Sequence, residues 1–145
     1  MLATDVRTQR QTALHALHVL EYALTAPAPR RHRTWLHRVT VAVDALHSAL
    51  HAQVPDANGP IRLLDEIALS HPSCLERIQR LHEELLDLAI AVASLREQIE
   101  PDPTIVIDPA DIRQRLGAVA TQFHQHQARE ADLVYEATGR RLDDM

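Results

Sequence analysis

His126 and Glu130 stand four residues apart in the stretch FHQHQAREADLVYEA, residues 123–137, where the pattern calls for core. Leu116, Val119, Phe123, Leu133 and Ala137 recur in steps of three and four, and the same steps run through His126 and Glu130. On a helix this spacing puts an imidazole and a carboxylate on one inward face. A buried carboxylate needs a cation, a donor network or an opening to water, because leaving it unpartnered is costly. Imidazole nitrogen with carboxylate oxygen is also a donor set for a borderline divalent metal such as iron or zinc.

A second segment carries the same interruption. Leu75, Ile78, Leu85, Ala89 and Val92 form a seam that His82 breaks, and a parallel seam through Leu81, Leu85, Leu88, Val92 and Leu95 widens the apolar face and moves His82 toward its edge. His82 lies 18 residues before Glu100, and His126 lies 17 after Pro109. With a rise of about 1.5 Å per residue, a chain reversal between them brings the two nearly level. The same counting along the preceding segment, started at Arg33, reaches His51 and Gln53. Leu46 and Leu50 run on to Gln53, whereas His47 and His51 share a neighbouring face, either as a chelating pair or as a solvated polar stripe. In the first segment the matching height falls between Val6 and Arg10, which contains no histidine; His15 and His18 lie nearer the first connection.

The elements that must hold these residues are helices. Glycine is scarce, aromatics are 3%, and β-branched residues cluster only in TIVI at 104–107, so helix propensity dominates. Helices are expected at about 4–25, 33–54, 61–69, from Pro72 and Ser73 to about 100, and from Pro109, capped by Asp108, to about 138. The intervening APAPRRHR, PDANGP and PDPTIVIDP supply prolines that stop each helix. Short connections between helices of similar length predict an all-α fold: an antiparallel up-down-up-down four-helix bundle with one short extra helix between its second and third members. A single domain over 1–138 with a flexible tail at 139–145 is the expected organisation.

Composition narrows the function. The lone Cys74 has no disulfide partner, no secretory pattern opens the sequence and no apolar run approaches the roughly 20 residues of a membrane span; the expectation is a cytoplasmic protein without a membrane partner. The net charge of −5 disfavours nucleic acid despite the basic PRRHR at 29–33. All 15 basic residues are Arg, which fits a high-GC bacterial genome better than a binding device. Cys74 at a helix start could have an activated thiol, but no catalytic partner accompanies it. An enzyme is the less favoured class.

HxxxE at His126 and Glu130, followed by ADLVYEA, together with IQRLHEELLDL around His82, resembles the hemerythrin-like, or HHE cation-binding, family over nearly the whole chain in helix order and length. The resemblance implies four antiparallel helices around a non-haem iron centre that binds oxygen, nitric oxide or another small diatomic ligand. It places His82, His126 and Glu130 among the metal ligands, with His51 as a further candidate. The departures are specific. Where the family has a second HxxxE this chain offers Gln53 and Ala57, so a full di-iron set would need His51 and Asp56 in a shifted register. No Glu-x-x-His occurs, which argues against a ferritin-like di-iron protein. The alternative is a metal-free degenerate bundle that serves as a protein-interaction or regulatory module, its partner surface being the wide apolar face after Cys74 or the short helix at 61–69.

Overall fold

The computed structural model describes residues 2–25, 32–54, 62–99 and 108–142, the side chains of 2–6, 32 and 33 excepted. Helix α1 is Leu2–Thr25, α2 His32–Gln53, α3 Leu63–Ser70, α4 Leu75–Ile99 and α5 Pro109–Thr138, and a single 3-10 turn at Pro72–Cys74 leads into α4. Among the described residues there is no strand. The boundaries fall within two residues of those expected, except that Pro72–Cys74 winds more tightly than the helix it starts. Asp56 and Ala57, like the rest of 55–61, lie outside the described residues, as do 26–31 and 100–107.

Local chemistry explains the ends of α5. Asp108 has extended backbone and its Oδ1 accepts from the Ala110 N–H at 3.0 Å, while Pro109 fills the first helical position, where its missing N–H is no loss. At the other end Gly139 adopts φ 69°, and its N–H donates to the Tyr135 carbonyl at 2.8 Å. Only glycine takes this left-handed cap at no steric cost. The chain then turns back, and Leu142, in the stretch expected to be a flexible tail, is buried.

Side-chain bonds set the helix directions. Trp35, early in α2, donates its indole N–H to the Ala23 carbonyl late in α1 at 2.9 Å, while Gln53 at the end of α2 donates to the Gln9 carbonyl near the start of α1 at 3.1 Å. Helices α1 and α2 therefore run antiparallel. Arg115 with Gln98, Arg129 with Glu84 and Arg77 with Glu136 make α5 antiparallel to α4. His124 with Glu21 and Arg10 with Glu130 do the same for α5 and α1. Helix α2 also packs against α4, and α3 touches α1, α4 and α5.

The buried apolar residues fall into two clusters. The larger joins α1, α2, α4 and α5 through residues such as Leu17, Leu46, Leu85 and Phe123. The smaller gathers Ile67 of α3, Ile78 and Leu81 of α4, Leu133 and Val134 of α5, and Leu142. On α5 the break between them is occupied by His126, Gln127 and Glu130. The polar positions that interrupt the sequence pattern are thus the layer that divides the core.

Candidate functional site

Each long helix contributes one level to this layer. Helix α5 supplies His126 and Glu130 one turn apart, α4 supplies His82, α1 supplies Gln9 and Arg10, and α2 supplies Gln53. They line a cavity of about 60 Å³, and Arg62, just before α3, lines it too. Leu63, Leu64, Leu81, Leu85 and Leu142 make part of its wall apolar.

Glu130 has its cation. Arg10 Nη1 donates to Glu130 Oε1 at 3.1 Å, with the two side chains only 11% and 18% exposed. Two charges held this far from water attract strongly, but both must remain present for the desolvation cost to be offset. The Gln53 side chain ties α2 to the Gln9 carbonyl, and Arg62 Nη1 donates to the Gln53 carbonyl at 2.9 Å. Arg62 is held in turn by its own backbone N–H donating to Asp65 Oδ2 at 3.3 Å.

His126 is 2% exposed and lies beside Phe123, the two rings nearly parallel with centroids 6.4 Å apart. Its Nδ1 is 3.1 Å from Glu84 Oε2, and Glu84 also accepts from Arg129. An ionised carboxylate only accepts, so Nδ1 carries the hydrogen and donates to Glu84. Nε2 is buried without a hydrogen-bond partner, and Glu130 Oε2, a second acceptor, is 3.9 Å away.

His82 is half-buried in the same wall, at the seam's edge as expected. Burial pushes its imidazole below the ordinary histidine range; Asp65 and Glu130 pull it up, and Arg62 and His126 push it further down. His51 stands apart from these three. It is exposed, outside the cavity wall, and stacked on His47 with ring centroids 6.2 Å apart. Gln53 takes the α2 position in the layer, in the register of Leu46 and Leu50. His15 and His18 are also exposed.

The orphaned Nε2 is the one feature that suits a metal: a carboxylate on the ring's other nitrogen, here Glu84 on Nδ1, is how ligating histidines are commonly held. The rest of the donor set does not fit a di-iron centre. One oxygen of Glu130 is bonded to a guanidinium, Gln53 stands where a histidine would be needed, and among the described residues no group of three or more His, Cys, Asp or Glu side chains could hold a metal ion. Arg10 and Glu84 were not among the residues expected at the site. Arg10 falls inside the height window counted for α1, where a metal site calls for histidine rather than a cation. Glu84 lies off the apolar seam of α4, and only the α4–α5 packing reveals it.

Comparison with protein-family models, with curated proteins and with solved structures finds no match to the chain.

Proposed function

We propose that the chain is an antiparallel four-helix bundle of hemerythrin-like layout that works without metal, as a regulatory or protein-interaction module. The observation that carries this reading is the Arg10–Glu130 pair, since a guanidinium supplies the positive charge that the buried carboxylate requires. A cation bound there would meet Arg10 as a like charge within a few ångströms. Exposed Leu69 on α3 and Leu75, Leu86 and Ile90 on α4 support the interaction role, because large apolar side chains in water are the raw material of partner surfaces. No helix among the described residues is long and apolar enough to cross a membrane.

A second reading has one observation in its favour. His126 Nε2 is left without a partner while Glu84 holds Nδ1, which favours a single iron on His126 for oxygen, nitric oxide or redox sensing, with Glu130 and His82 having to move to complete its ligands. Metal analysis of untagged protein, before and after anaerobic Fe(II) loading and followed by an absorption spectrum in air, separates the two. The metal-free reading expects well under one iron per chain and no near-ultraviolet bands of an oxo-bridged centre. Stoichiometric iron that is lost on His126→Ala would overturn it.

A further inference from the structure

We propose that α3 is an autoinhibitory segment: it fills, as a detachable fourth helix, a groove between α1, α4 and α5 whose external ligand is a short amphipathic helix of a partner protein. The inference rests on the interaction-module reading above and names the surface and the class of partner.

The bundle exchanges one member at the polar layer. Helix α2 stops there, the side chain of its last residue, Gln53, bonded to the Gln9 carbonyl. The other three continue, α4 from His82 back to Leu75, α5 from Glu130 on to Thr138 and α1 from Gln9 back to Leu2. Helix α3 touches all three and takes the place that α2 leaves. Ile78 and Leu81 of α4 and Leu133 and Val134 of α5 are buried in one cluster with its Ile67. Without α3 these side chains would face water, so the groove requires an occupant with an apolar face.

The hold on α3 is slight. Of its eight residues only Ile67 is fully buried; Leu63, Leu64 and Ala68 are half-buried, and Leu69 is 76% exposed. Asp65 and Ser70 use their side chains within the segment, on the Arg62 N–H and the Glu66 carbonyl. Among the described residues the hydrogen bond that ties this segment to a long helix is Arg62 Nη1 to the Gln53 carbonyl, at 2.9 Å. Eight residues are too few for a helix to persist alone. Helix α3 therefore undocks as a unit, at a lower free energy than the long helices open.

What holds α3 describes what can replace it. Leu63, Leu64, Ile67 and Ala68 set an apolar face at i, i+1, i+4 and i+5, the pattern of a helix laid into a groove. The Gln53 carbonyl ends α2 and has no partner within that helix, so the ligand needs an Arg or Lys just before its first apolar pair. A partner helix longer than α3 adds contacts, which offsets the advantage that the tether gives α3 as an intramolecular rival.

The test uses the full, untagged chain labelled with ¹⁵N, and an unlabelled peptide of residues 62–70 stapled through its exposed positions 66 and 70. In the free chain the Ile67 and Ala68 amides should exchange roughly tenfold or more faster, corrected for intrinsic rates, than those of Leu17 and Leu46. Saturating peptide should shift the Leu81 and Leu133 resonances and speed exchange at the chain's own Ile67 and Ala68 by roughly a further tenfold, because it takes their seat. Ile67→Ala in the peptide should weaken binding by roughly tenfold or more, and Ile67→Ala in the chain should strengthen binding of the unmodified peptide. Exchange in the unmodified chain keeps the test independent of how well that variant folds. Amides of α3 as protected as Leu17 and Leu46, a peptide that does not bind, or a bound peptide that leaves α3 protected would each overturn the inference. A dimer of the chain alone, seen by light scattering with α3 still protected, would put a second copy's α3 in the groove and overturn the assignment to a partner. If α3 stays shut, this inference falls and the interaction-module reading, which exposed Leu86 and Ile90 also support, stands. One iron per chain with α3 displaced by the peptide supports the groove and overturns only the metal-free half of that reading.

Discussion

Arg10 on α1 and Glu130 on α5 meet across the molecule's interior, Nη1 to Oε1 at 3.1 Å, in the layer that divides the apolar core in two. The contact joins residues 120 positions apart and fixes α1 against α5. Because both side chains are largely shielded from water, removing one member should hurt more than removing both. Arg10→Met alone is expected to cost about 2–3 kcal/mol, somewhat less than a fully buried pair because each side chain keeps some exposure. Glu130→Leu in the Arg10→Met background should recover much of that loss. Urea denaturation of the two single variants and the double variant gives the coupling energy, expected at about 1–3 kcal/mol. Strictly additive losses would mean that the pair contributes nothing as a pair.

His82 gives the fold a pH dependence whose sign follows from its burial. Its folded-state pKa lies below the unfolded value, so between the two the unfolded chain binds more protons than the native one, and stability rises with pH. The contribution is fully present above the unfolded value near 6.5 and is lost as pH falls from there toward the folded value, below which it changes no further. Chemical denaturation between pH 7.5 and 5 should show a steeper decline for the unmodified protein than for His82→Gln. Parallel curves for the two proteins would assign the dependence to other groups.

The sequence made the helices legible because their punctuation is explicit: Asp108 and Pro109 start α5, and Gly139 ends it at the one left-handed residue among those described. It also made the polar layer legible, since His82, His126 and Gln53 each break an apolar seam and a constant rise per residue brings those breaks level. What it could not show was how the layer is satisfied. Arg10 pairs with a residue on a helix far away in sequence, and Glu84 reaches His126 from the flank of α4 rather than from its seam. His51 looked like a layer residue by height alone; its angular position on α2 puts it in solvent beside His47. Height is set by residue number, whereas facing depends on packing that only the assembled helices define.

Trp35, the chain's single tryptophan, reports on the opposite end of the molecule. It is 3% exposed, donates to the Ala23 carbonyl in the last turn of α1, and has the Arg113 guanidinium 4.9 Å from its ring centre. Carbonyls in a helix's last turn have no partner within the helix, and this one is satisfied by the indole. Trp35→Phe keeps an aromatic ring but removes the donor and part of the volume, so it should cost about 1–3 kcal/mol. Thermal unfolding followed by circular dichroism checks this. A variant as stable as the parent would show that the Ala23 carbonyl is solvated at no cost.

Leu142 provides the last test, of whether the smaller cluster is an independent part of the fold. The residue returns past the Gly139 cap to pack with Ile67 of α3 and with Ile78, Leu81, Leu133 and Val134. An eight-residue helix is too short to persist by its own hydrogen bonds, so α3 depends on this cluster for its place. Leu142→Ala should cost about 2–4 kcal/mol, the range for truncating a buried leucine. The loss should be local. Hydrogen exchange is expected to accelerate at the α3 amides around Ile67 while those of Leu17 and Leu46, in the larger cluster, stay protected relative to global unfolding. Leu142 and Leu63 also wall the cavity, so the same substitution should weaken any ligand held there. Uniform acceleration across all helices would show that the polar layer couples the two clusters into one cooperative unit instead of dividing them.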